Sequence, residues 1–204
     1  MNLHTLYQQF QADLQQTTWL EFIAVICGIA SVVLSRMENI LLYPVGMVNT
    51  GIYIYLYVTH GLYGDASVNL YYTVMSITGW ILWARKKDGQ ALLVITGSTA
   101  KDWQVALLFF AVCWAVLFVV LKNFTDSTVP YMDAFTSAAA FTGMWLMNKK
   151  KLESWTWWII TDLASIPLNF YKHLVFTSFQ YLVFLILAIL GFISWKKKIA
   201  HAHS

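Results

Sequence analysis

The chain has 204 residues, of which 59% are hydrophobic, 17% aromatic and only 11% charged, and its mean hydropathy is +0.59. A soluble domain is about a quarter charged; this chain cannot cover itself with polar side chains, so its solvent is lipid. Its net charge of +3 comes mostly from basic loop residues, which is a topology signal and not a nucleic-acid footprint. The apolar stretches hold no metal-ligand cluster, phosphate-binding glycine loop or nucleophile–base pair, so neither an enzyme nor a cofactor is expected. Cys27 and Cys113 lie in apolar stretches and read as small buried residues, not as a disulfide.

Residues 1–18 are polar but carry Leu3, Tyr7, Phe10 and Leu14 at spacings of four, three and four, the pattern of an interfacial amphipathic helix. They lack the basic and apolar regions of a signal peptide. Seven apolar runs follow, at 19–37, 40–58, 66–84, 103–121, 131–148, 155–173 and 175–195, each about as long as a bilayer crossing needs. Residues 196–204 read as a tail. The expected fold is an all-α membrane protein with seven transmembrane helices.

Basic residues alternate sides unevenly. Arg36, Arg85, Lys86, Lys87, Lys101, Lys149, Lys150, Lys151, Lys196, Lys197 and Lys198 fall on one side, against Lys122 and Lys172 on the other. Eleven against two puts the first set in the cytoplasm, with the N-terminus outside and the C-terminus inside.

A shift of 112 positions lays Glu21 on Asp133, Leu34 on Leu146, Tyr43 on Trp155, Gly79 on Gly191 and Trp83 on Trp195. The chain therefore reads as two parallel three-helix bundles, 19–84 and 131–195. The span 103–121 carries the chain back across the membrane, giving a 3+1+3 arrangement. Parallel repeats about the membrane normal are a transporter plan with the substrate between them near mid-membrane.

The polar residues of the spans are the candidates for that site. Trp155, Trp158 and Asp162 are spaced i, i+3, i+7 and share a helix face. A carboxylate costs roughly 2.5–3.5 kcal/mol at the centre of a membrane helix and is usually kept for use. Two indoles beside it suit a flat cation. Asn49, Asn69, Tyr72, Asn169, Gln180 and Tyr181 complete the set. Each also has a plainer reading: interfacial belt for Trp155, interhelical bonding for the amides, and capping of backbone freed by Pro167 for Asn169. Glu21 and Asp133 read as partners of outer polar groups or as parts of an external gate.

The run GluSerTrpThrTrpTrpIleIleThrAsp (153–162) resembles the W-x-x-W-x-x-x-N/D signature of the PnuC family of bacterial vitamin transporters. TyrProValGlyMetValAsn (43–49), LeuTyr (62–63), Gly79, Trp80, Trp83 and GlyPheIleSerTrp (191–195) also match, over roughly 19–198. The resemblance implies a SWEET-like facilitator in the bacterial inner membrane, with no ion coupling and a homotrimeric assembly. A cytoplasmic kinase would trap the vitamin by phosphorylation. It also implies an aromatic and amide cage formed by Trp155, Trp158, Asp162, Asn49, Asn69, Gln180 and Tyr181. Nicotinamide riboside is the first expected substrate. Asp162 stands where many carriers of that vitamin have Asn, which brings thiamine close behind. A SWEET-like sugar facilitator and a proton-coupled carrier are the competing readings.

Overall fold

The computed structural model describes residues 18–87, 89–172 and 174–202; the expected N-terminal amphipathic helix lies outside the described residues. Seven helices fill the described chain: α1 (Trp19–Arg36), α2 (Leu42–Thr59), α3 (Tyr63–Ala84), α4 (Ala100–Phe124), α5 (Pro130–Asn148), α6 (Ser154–Tyr171) and α7 (Val175–Ala202). All seven coincide with the apolar runs to within a few residues, except at the end of α7. There the helix continues through the lysines to Ala202, because LysLysLysIleAla contains no helix breaker once the chain has left the apolar run. Between α3 and α4 a small hairpin pairs β1 (Lys86–Lys87) with β2 (Gln90–Ala91), a feature the apolar pattern does not announce.

Local chemistry starts the helices. The Thr18 hydroxyl accepts the Glu21 N–H at 3.3 Å while the Glu21 carboxylate accepts the Thr18 N–H at 2.6 Å. Thr99 and Asp102 repeat this reciprocal cap at α4, with bonds of 3.2 and 2.9 Å. Pro130 opens α5, where its missing N–H costs nothing.

Helices α1, α2 and α3 pack in sequence, as do α5, α6 and α7; α3 against α5 and α1 against α7 then close the six into a ring. Helix α4 packs on α5, with Leu108 and Val116 on its bare flank more than half exposed. Large apolar side chains exposed along a helix are what a lipid-facing surface requires. By length and composition α1, α4 and α7 each suffice to cross a membrane. The other helices carry more small and polar residues, above all α5, which is buried from Ala138 to Met144 and can spare apolar bulk.

Geometry recurs 112 residues along the chain. Glu38 (φ 58°) and Lys150 (φ 51°) are the non-glycine residues with left-handed backbone among those described. Each follows its helix with the same bonds, Glu38 N–H to Ser35 O and Lys150 N–H to Met147 O, at 3.0 and 2.9 Å. Tyr43 meets Trp83 edge-on at 5.4 Å and 87°; Trp155 meets Trp195 at 5.5 Å and 89°. Gly79 lies under the Tyr43 ring and Gly191 under the Trp155 ring, each so close that a methyl group would overlap it. These aromatics form one core near the lysine-rich end, with Leu42, Met144, Met147 and Ala188.

Candidate functional site

The i, i+3, i+7 face of α6 does not offer two equal indoles. Trp155 is 1% exposed, with one ring face on Gly191 and an edge contact to Trp195. It is walled into the interhelical core, and its indole N–H has no partner among the described residues. Trp158 is half-buried and lies over Gly143 of α5, whose missing side chain makes room for it. Trp157, on the next face, packs with Ala106, Ala139 and Leu146 and meets Phe110 of α4 at 5.0 Å.

One turn deeper, Asp162 is 3% exposed, and among the described residues its carboxyl takes no hydrogen bond and no ion pair. Phenols lie within its electrostatic reach: Tyr72 of α3 and Tyr181 of α7. Tyr72 meets Phe141 of α5 edge-on at 5.7 Å, and Tyr71 stacks on the same ring at 3.9 Å. An acid is thus buried within reach of phenols from two other helices, with no cationic side chain paired to it among the described residues. Burying a lone charge is costly, so the carboxyl is either held neutral or met by a cation from outside.

Two further tyrosines near these phenols escaped sequence reasoning. Tyr53 and Tyr57 of α2 stack at 5.6 Å and 19° and lie within electrostatic reach of Tyr181. Their i, i+4 spacing was the available signal, but tyrosines at helical spacing in an apolar span look like interfacial anchors. Thr50 and Thr73 also bond across α2 and α3 at 2.8 Å.

The expected amides separate. The Asn49 amide donates to Ala24 O of α1 at 2.6 Å and fills the space over Gly28, so it ties α2 to α1. Asn69 donates to Asp65 O at 2.9 Å, and Asn169 to Ser165 O at 2.8 Å, each one turn back on its own helix. Gln180 is half-buried and makes no side-chain hydrogen bond among the described residues. Of the four it is the amide with both its donors and its acceptor uncommitted among the described residues, where each asparagine has one N–H engaged. Of the residues expected at an outer gate, Glu21 is engaged in its helix cap, whereas Asp133 accepts from Ser127 at 2.6 Å and from Lys172 at 2.7 Å.

A helical, lipid-clad ring with an unpaired acid in an aromatic interior, and no metal-binding cluster among the described residues, has the architecture of a membrane transporter. The model of the nicotinamide mononucleotide transporter family matches residues 18–197, and the chain belongs to that family. It is 22% identical over 206 residues to the nicotinamide riboside transporter PnuC of Escherichia coli (strain K12), covering 87% of this chain and 85% of that one. The riboflavin/roseoflavin transporter RibM of Streptomyces davaonensis is 22% identical over 184 residues, covering 89% and 86%. A crystal structure of the vitamin B3 transporter PnuC shares the fold at a TM-score of 0.72 and 23% identity, over 98% of this chain and 90% of that one.

Proposed function

We propose that this transporter carries a B-type vitamin with a positively charged ring, nicotinamide riboside first, by facilitated uptake through the bacterial inner membrane. The observation that carries the reading is Asp162: a buried carboxyl with no cationic partner among the described residues, within reach of the Tyr72 and Tyr181 phenols. A cationic ring supplies the missing charge and stacks on the half-buried Trp158. A desolvated cation–π contact is worth about 2 kcal/mol, and base–aromatic stacking about 1–3 kcal/mol. Gln180 has capacity left for ligand hydroxyls. The two halves, 19–84 and 131–195, act as three-helix repeats that rock about the site; the geometry recurring 112 residues apart supports this. Lysine-rich ends face the cytoplasm, and a cytoplasmic kinase keeps the gradient inward by phosphorylating the vitamin. A phosphorylated form is rejected, because Asp162 repels it and α2, α3 and α6 contain no Lys or Arg.

Thiamine is the second reading, favoured by the carboxylate itself: thiamine has fewer hydroxyls for amides to hold and gains more from a charge. Neutral riboflavin gains nothing from Asp162. The test is quenching of tryptophan fluorescence in the purified protein by nicotinamide riboside, thiamine, riboflavin and their phosphates. One unphosphorylated cation should quench at micromolar concentrations, and Asp162→Asn should weaken it tenfold or more. Equal affinity of wild type and Asp162→Asn for that cation would overturn the reading, and no response to any vitamin would bring sugars forward.

A further inference from the structure

The lysine-rich end of the ring is closed by charges drawn from both halves of the chain. The Glu38 carboxylate, in the turn after α1, accepts from Lys150 in the turn after α5 at 3.1 Å and from Lys198 of α7 at 2.7 Å. Lys150 is only 7% exposed, and its ammonium also sits over the Trp83 ring of α3, 4.5 Å from the centroid. One ion cluster thus ties α1, α3, the α5–α6 turn and α7. Just below it, Ser35 donates to the Met147 sulfur at 3.1 Å and the Trp195 indole to Arg36 O at 3.3 Å. Glu38 and Lys150 occupy matching turns 112 residues apart, and both hold the left-handed backbone that non-glycine residues avoid.

The opposite end is built differently. Among the described residues its ion pair joins Asp133 of α5 to Lys172, just after α6, within one half of the chain. Asp65 of α3 reaches Lys172 only through space, without a salt bridge among the described residues. A partly buried ion pair bridging two bodies resists their separation; one inside a single body does not.

We infer that Glu38 is the gate residue of the lysine-rich end: the conformation described is shut there, and transport must break the Glu38–Lys150 and Glu38–Lys198 pairs each time that end opens. The inference rests on the transporter class and not on the choice of vitamin, so its test uses no substrate. In the full chain with Cys27→Ala and Cys113→Ala, reconstituted in liposomes, single reporters Ser35→Cys and Asn69→Cys are alkylated with a charged, water-soluble maleimide. Ser35 is 5% exposed beneath the cluster; Asn69 lies toward the other end. Glu38→Gln and Lys150→Gln should each speed labelling of Ser35→Cys at least fivefold and slow that of Asn69→Cys. Lys150→Arg, which keeps both the pair and the ring contact, should leave both rates within twofold of the parent. Rates within twofold in the two Gln variants would overturn the inference. So would faster labelling of both reporters together, which would mark the cluster as general glue.

Discussion

Trp155 and Trp158 stand less than a turn apart and meet different surroundings. The first is pressed onto Gly191, where an added methyl carbon would lie 2.6 Å from the indole ring; the second is half-buried over Gly143. Gly191→Ala must therefore push Trp155 or α7 aside, an overpacking cost of about 1–3 kcal/mol, and should lower the melting temperature in detergent by several degrees. Gly51 has open space around its position. Gly51→Ala should leave the melting temperature unchanged or slightly raised, since glycine inside a helix costs about 0.5–1 kcal/mol relative to alanine. Equal effects of the two would show that the close approach at Gly191 is not tight. For the same reason Trp158→Ala should reduce vitamin binding more than it reduces stability, and Trp155→Ala the reverse, read by fluorescence titration and melting of each variant.

At the level of elements, reciprocal caps set where α1 and α4 begin. The α4 cap is reciprocal, and Asp102 within it also accepts from Lys151 of the α5–α6 turn at 3.0 Å. The same turn is held by the segment before α4, through Thr96 N–H to Lys150 O at 3.1 Å and Leu152 N–H to Thr96 O at 2.9 Å. Helix α4 is thus fastened at its lysine-rich end to the turn that carries Lys150. Thr99→Ala removes the cap at a cost of about 1 kcal/mol. It should speed amide hydrogen exchange in the first turn of α4 without altering exchange in α2; unchanged exchange at Trp103 would show that the Lys151 contact holds the terminus unaided.

At the scale of the whole molecule, stability and opening meet at Glu38. Burial raises its pKa, but the bonds to Lys198 and Lys150 outweigh this and leave the group below the ordinary carboxylate value of 4.5. A carboxyl lowered on folding stabilises the folded state above its unfolded pKa, and that stabilisation is lost as pH falls through the folded value. The melting temperature of the wild type should therefore exceed that of Glu38→Gln at neutral pH, and the gap should shrink as the pH is taken below about 4.5. A gap that stays constant from neutral to strongly acidic pH would show that the Glu38 charge does not contribute.

The apolar runs determined the seven helices, because lipid demands about 20 consecutive tolerable residues whatever the helix later touches. The signature around Trp155 and Asp162 and the 112-residue recurrence likewise pointed to the family and to matched turns and ring contacts. What each polar side chain does depended on partners far along the chain. The Asn49 amide ties α2 to α1 through Ala24 O, Trp155 is covered because α7 places a glycine on it, and Tyr53 and Tyr57 come within reach of Tyr181 only because the helices close into a ring. Glu38 reads as an ordinary loop acid until the turn after α5 brings Lys150 to it. A residue's tolerance of lipid is set by its own side chain, whereas its hydrogen bonds, ion pairs and burial are set by which helices become neighbours, and only the tertiary structure decides that.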